Sequence, residues 1–163
     1  MTKHEPHEQL LAQLNDTVAD AVAFFNAADE DLFDGYQTAR EVLSHFVFWH
    51  SEYVGIVWAL VTGRQPSLLY GTFAELNARA TQQYNDESLP VLAERLAHRQ
   101  GQLAKALRRL PDWGIDFPIK QIGRDENVAS RVVSIESHIR NHVARLRHAA
   151  HLKEAQREYK VAA

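Results

Sequence analysis

His138 and His142 are four residues apart, and on a helix that spacing is about one turn, which sets two imidazoles on one face roughly 6 Å apart along the axis. Two ring nitrogens so placed can share one metal ion. A third has to arrive from elsewhere, and the other dense histidine segment in strongly helical sequence is Leu43-Ser44-His45-Phe46-Val47-Phe48-Trp49-His50. The residues therefore predict a site made of His138 and His142 with either His45 or His50. Three neutral imidazoles with no compensating carboxylate leave the charge of a divalent ion directed at an open coordination position. A water bound there becomes a hydroxide nucleophile, and a low-molecular-weight thiol becomes a thiolate near neutral pH, ready for a small electrophilic substrate. Imidazole ligation suits zinc, nickel, iron and copper alike. Glu41, one turn before His45, and Ser134, one turn before His138, are candidate outer partners of the ligand rings, though both serve equally well as surface groups. Trp49, Tyr53, Trp58 and Trp113 are candidates for an apolar pocket wall, and aromatic residues at such spacing also make ordinary core.

The elements that must position these side chains are helices, because the chain is rich in Ala, Leu, Glu, Gln and Arg and its long gap in helical periodicity lies around Pro111 to Glu126. A first helix is predicted from about His7 to Ala28, with Leu10, Leu11, Leu14, Val18, Val22 and Phe25 on one stripe, ending in Asp29-Glu30-Asp31. The second opens with the capping box Thr38 to Glu41 and stops at Gly63. A crossover, Arg64 to Gly71, leads to a second capping box, Thr72 to Glu75, and a short helix to about Tyr84. A third long helix spans about Ser88 to Leu110 and is ended by Pro111. The stretch Asp112 to Asn127 is irregular, and the last helix runs from about Val128 to beyond Leu152, fraying before Ala163. The expected fold is all-α, a single-domain four-helix bundle over residues 1–163 with a long crossover between helices two and three that carries a short extra helix.

Helical wheels at about 100° per residue test whether the histidines converge. His138 and His142 flank the stripe Val128, Val132, Ile135, Ile139, Val143 and Leu146. On helix two His50 lies near the middle of the apolar stripe, and His45 lies on its flank beside Trp49 and Ile56. Burial favours His50 and a groove between two helices favours His45, so the wheel leaves the third ligand open. His148 and His151 point to solvent; His4, His7 and His98 have no partner at a useful spacing.

Composition removes several alternatives. With 163 residues the chain is long enough for one apolar core, and with no cysteine it has no disulfide framework, thiolate metal site or cysteine nucleophile. Eighteen basic against 21 acidic residues give a net charge of -3. That balance offers no field for nucleic acid or anionic lipid, and no recognition-helix motif is present. The polar start Met1-Thr2-Lys3-His4 is not a secretory leader, which makes cytoplasm the plain reading. His50 and Glu52 argue against helix two as a membrane span. Helix faces left over after the core is filled predict a homodimer.

The run Thr38-Ala39-Arg40-Glu41-Val42-Leu43-Ser44-His45-Phe46, joined to the late His138-x-x-x-His142, resembles the DinB-like superfamily of four-helix bundles over nearly the whole chain. Thr72-Phe73-Ala74-Glu75-Leu76-Asn77, with Tyr84 and the long third helix, is similar to the branch containing colibactin self-resistance proteins. The resemblance implies a divalent metal, most often zinc or nickel, held by one histidine of helix two and two of the last helix. These map onto His45, His138 and His142, with His50 a packing residue. One departure is Gln37, with Tyr36 adjacent, where the superfamily usually has tryptophan. Two functions follow as expectations. One is a metal-dependent thiol transferase or hydrolase acting on a small electrophile in detoxification or stress. The other is a non-catalytic bundle that binds or sequesters a small molecule, as in self-resistance.

Overall fold

The computed structural model describes residues 4–120 and 126–162. Five helices follow the order α1 (His4–Ala27), α2 (Ala39–Val61), α3 (Phe73–Gln83), α4 (Leu89–Arg109) and α5 (Val128–Ala162), with a two-residue antiparallel pair, β1 (Asp116–Phe117) and β2 (Glu126–Asn127), before α5. The four long helices form the all-α bundle and α3 rides on the long crossover, as the sequence predicts.

Local chemistry sets the boundaries. Thr38 Oγ1 accepts from the Glu41 amide at 3.2 Å while Glu41 Oε2 accepts from the Thr38 amide at 2.7 Å, so the first turn of α2 has two of its orphan amides satisfied reciprocally. Thr72 and Glu75 repeat the device at α3. Gly63 has φ +68° just past α2, a left-handed geometry that glycine adopts without steric cost. The start of α5 is held from three sides. Asn127 Oδ1 accepts from the Ser130 amide at 2.8 Å, and the carbonyls of Ile115 and Trp113 accept from the amides of Val128 and Ala129.

The strand pair was not expected in Asp112 to Asn127, and its two-residue length is too short to leave an alternating pattern in sequence. The helix α5 is continuous from Val128 to Ala162. Beyond the bundle its side chains are mostly exposed, and Lys153 Nζ reaches Asp29 Oδ2 at 2.9 Å to tie it to the α1–α2 loop.

Leu11, Leu14, Val18, Ala21 and Phe25 of α1, Leu92, Leu96, Leu103 and Leu107 of α4, and Val132, Ile139, Val143 and Leu146 of α5 meet in one core. In α2 every side chain from Val42 to His50 is buried, on all faces of the helix. That enclosure follows from its neighbours: α4 covers one side and α3 another, and α5 approaches from a third. Of these contacts the one between α2 and α5 is the least extensive, so the two helices part along their length and leave a groove. No helix among the described residues is long and apolar enough to cross a membrane.

Candidate metal centre

His45, His138 and His142 converge where α2 and α5 do meet. One ligand atom from each ring lies within 4.8 Å of the others. His45 Nε2 and His138 Nε2 are 3.0 Å apart, and the ring centres of His138 and His142 are 4.5 Å apart. One helical turn brings the last two together, as their spacing requires. His45 is 2% exposed and His142 7%, whereas His138 is open to solvent, so the cluster has a buried back and an accessible front. Phe46 forms its floor, with its ring centre 5.2 Å from that of His45, 6.0 Å from His138 and 5.7 Å from His142.

The rings are neutral at pH 7. Burial, then the neighbouring imidazoles His142 and His138 and the Arg145 guanidinium, pushes His45 down to about 3. Burial, with His138 and Arg145 behind it, takes His142 to about 4. His138 is lowered too, by burial and then by Arg145. Neutral imidazole is the form that ligates, so no proton has to leave before a cation enters. Tetrahedral zinc at about 2.0–2.1 Å from each nitrogen would separate the nitrogens by roughly 3.3 Å. The three ligand atoms lie within 4.8 Å of one another, and the donor set fits a divalent ion of borderline softness.

His50 does not join them. Its Nε2 donates to Gln100 Oε1 at 3.0 Å, and Gln100 Nε2 donates onward to Asn15 Oδ1 at 2.7 Å, a chain that runs through α4 to α1. Its place in the middle of the apolar stripe therefore serves packing. Burial lowers His50 to about 4, against the hydrogen bonds to Gln100 and Phe46 that raise it. Between about pH 6.5 and pH 4 the unfolded chain then binds more protons than the folded one, so stability rises with pH across that window. His50→Gln is expected to remove up to about 1.4 kcal/mol per pH unit of that slope. Urea midpoints measured from pH 4.5 to 6.5 check this; equal slopes in the two proteins contradict it.

The expected outer partners are bonded elsewhere. Glu41 is committed to the Thr38 cap, and His45 Nδ1 is buried without a hydrogen-bond partner among the described residues. Ser134 Oγ donates to Glu126 Oε1 at 2.9 Å. A polar side chain that does touch a ligand ring is that of Arg145, three residues beyond His142, which the sequence did not single out. Its Nη2 lies 2.8 Å from His142 Nδ1 and its Nε 3.3 Å from the enclosed Asp34 Oδ2. Burial works against ionisation of Asp34, but the amides of Gln37 and Tyr36 and the Arg145 guanidinium hold its carboxyl below the usual range. A guanidinium only donates, so His142 Nδ1 accepts there and the neutral ring keeps its proton on Nε2. Ligation through Nε2 requires Arg145 to withdraw toward Asp34. Arg145→Met is expected to tighten zinc binding about fivefold, by removing a half-exposed positive charge next to the site, with the gain shrinking in added salt. Competition against a chromophoric chelator measures this; unchanged affinity contradicts it.

Beside the imidazoles the α2–α5 groove widens into a cavity of about 280 Å³. Trp49 and Tyr53 line it, together with Phe73 and Asn77 of α3, which the sequence did not single out. Trp49 Nε1 donates to Asn77 Oδ1 at 2.9 Å, and its ring centre is 5.6 Å from that of Phe73, so α3 fixes the indole as one wall. Trp58 and Trp113 are absent from the cavity. Trp58 lies under the Arg109 guanidinium at 5.3 Å. Trp113 is buried, donates to the Leu107 carbonyl at 3.1 Å and stacks on His7 at 4.5 Å, which gives His7 a partner that its position in sequence had not suggested.

No protein-family model matches the chain, and no curated protein matches it. Solved structures are similar in fold. Mycothiol-dependent maleylpyruvate isomerase superposes with a TM-score of 0.69 at 15% identity, over 90% of this chain and 63% of that one. This chain thus spans less than two thirds of the isomerase's length. An uncharacterised protein from Escherichia coli UTI89 gives a TM-score of 0.73 at 15% identity, over 91% of this chain and 94% of its own. An uncharacterised protein from Clostridium difficile 630 gives 0.69 at 19% identity, over 88% and 94%. The fold of this chain is therefore the fold of these solved structures, the all-α four-helix bundle.

Proposed function

We propose that the protein is a divalent-metal-dependent enzyme that turns a low-molecular-weight thiol on a small electrophile held in the α2–α5 cavity. The observation that carries this reading is the convergence of three neutral imidazoles, one of them open to solvent, at one end of an aromatic-lined cavity. A divalent cation held by His45, His138 and His142 would acidify a thiol or water at its open position and so supply the nucleophile near neutral pH.

The chain's own contribution is placement. Burial of His45 and His142 fixes two rings, and the Phe46 floor sets their tilt. Trp49, Phe73 and Tyr53 give an electrophile with an apolar body a surface to lie on and exclude water from the reacting atoms. The name of the isomerase that shares this fold records dependence on a thiol, which supports thiol over water as the nucleophile.

The test uses protein purified without a histidine tag, loaded with zinc or nickel, and mixed with a panel of small thiols and a reactive haloaromatic. Thiol consumption should accelerate with the metal-loaded protein, stop with a chelator and return on adding the metal back. Acceleration that ignores chelation contradicts the proposal. Retention of the electrophile after chelation, with no turnover in any state, favours sequestration instead.

A further inference from the structure

Arg131 stands two helical turns before His138 on the same face of α5, about 10 Å away along the axis, and lines the same cavity. Its Nη1 is 3.0 Å from Glu126 Oε2, and the side chain is 13% exposed. Nε and Nη2 are buried and have no hydrogen-bond partner among the described residues. Those two nitrogens make one edge of the guanidinium fork, the edge whose N–H bonds run parallel and match the two oxygens of a carboxylate. The protein shows this edge in use elsewhere: Arg95 Nε and Nη2 meet Glu87 Oε2 and Oε1 at 2.6 and 2.8 Å.

In Arg131 the equivalent edge is bare, where a buried charged donor without an acceptor is costly. Glu126 does not fill it, because its second oxygen accepts from Ser134. Phe117, with its ring centre 5.4 Å from the guanidinium carbon, backs the group. The edge is screened from water in the wall between the main cavity and a smaller void of about 10 Å³, which Tyr53 and Ile135 also line. Arg131 lines both spaces, so its guanidinium stands at the boundary of the main cavity.

We infer that Arg131 is the anchor for a carboxylate of the substrate, so that the enzyme acts on small electrophilic carboxylic acids whose reacting atom lies several bonds from the carboxyl group. This rests on the metal-and-thiol reading for the word electrophile; the carboxylate anchor itself does not need the metal.

The probe is 3-phenylpropionate against its neutral amide, titrated by calorimetry or ligand-observed NMR into zinc-loaded and chelator-treated protein. The acid should bind at least about tenfold more tightly than the amide in both states. Arg131→Gln should abolish the preference, and Arg131→Lys, which keeps the charge and loses the fork, should retain only part of it. Equal binding of acid and amide to the unmodified protein, no binding of the acid at millimolar concentration, a preference that disappears on chelation, or an undiminished preference in Arg131→Gln each overturns the inference. Should Arg131→Gln fail to fold, the acid–amide comparison in the unmodified protein and in Arg131→Lys decides. Protein that takes up no zinc yet prefers the acid defeats the metal reading alone; protein that takes up zinc without preferring the acid defeats the anchor alone.

Discussion

His142→Ala is expected to lower divalent-metal affinity by more than about a hundredfold. Disturbing an outer partner of a ligand ring already costs about 10–100-fold, and removing the ring leaves two nitrogens where a stable site needs at least three. The same loss should follow His45→Ala and His138→Ala. The three variants should still differ in stability. His45 is almost wholly enclosed, so its removal opens a void in the core, whereas His138 is exposed and its alanine variant should fold nearly as well as the parent. Elemental analysis of untagged protein, with urea unfolding on the same preparations, separates these effects. Wild-type stoichiometry in any of the three variants contradicts the assigned ligand set.

Phe46→Ala is expected to destabilise the metal-free protein by about 3–5 kcal/mol, the range for deleting a fully buried phenyl ring. Phe46 is 2% exposed, meets Phe25 at 6.1 Å between ring centres and lies under all three imidazoles. Its loss therefore removes apolar contact from the core and the support of the site together. Phe46→Leu keeps most of the volume and should cost about 1.5 kcal/mol or less. Its metal affinity should nevertheless fall by about tenfold, since a branched aliphatic chain does not present the flat surface that sets the ring tilts. The unfolding series belongs in chelator, because bound metal would add its own stabilisation. A cost near 1 kcal/mol for Phe46→Ala would contradict the place given to this residue.

These effects show why some features were legible in sequence and others were not. Helix boundaries came from chemistry confined to a few neighbouring residues: two capping boxes, Pro111 and Gly63 were enough to place α2, α3 and α4 within a residue or two. The paired histidines of α5 were legible for the same reason, because a spacing of four is a local property. The choice between His45 and His50 was not local. It depended on which neighbour each face of α2 meets, and the wheel reports orientation without saying that α4 covers one face and α5 another. Only the packed structure puts Gln100 opposite His50 and His138 opposite His45. The contacts of Arg145 with Asp34 and of Trp49 with Asn77 span 111 and 28 residues, and no periodicity encodes them. Trp58 and Trp113 were misplaced in the cavity because aromatic character records the need for burial but not the element that satisfies it.

X-ray absorption at the zinc edge, on untagged protein given less than one equivalent of zinc, tests the central claim most directly. The account predicts a first shell containing three imidazole nitrogens at about 2.0–2.1 Å with one lighter or sulfur scatterer supplied from solution, and a loss of one imidazole in His138→Ala. A shell with fewer than three imidazoles, or one that His138→Ala leaves unchanged, would contradict it.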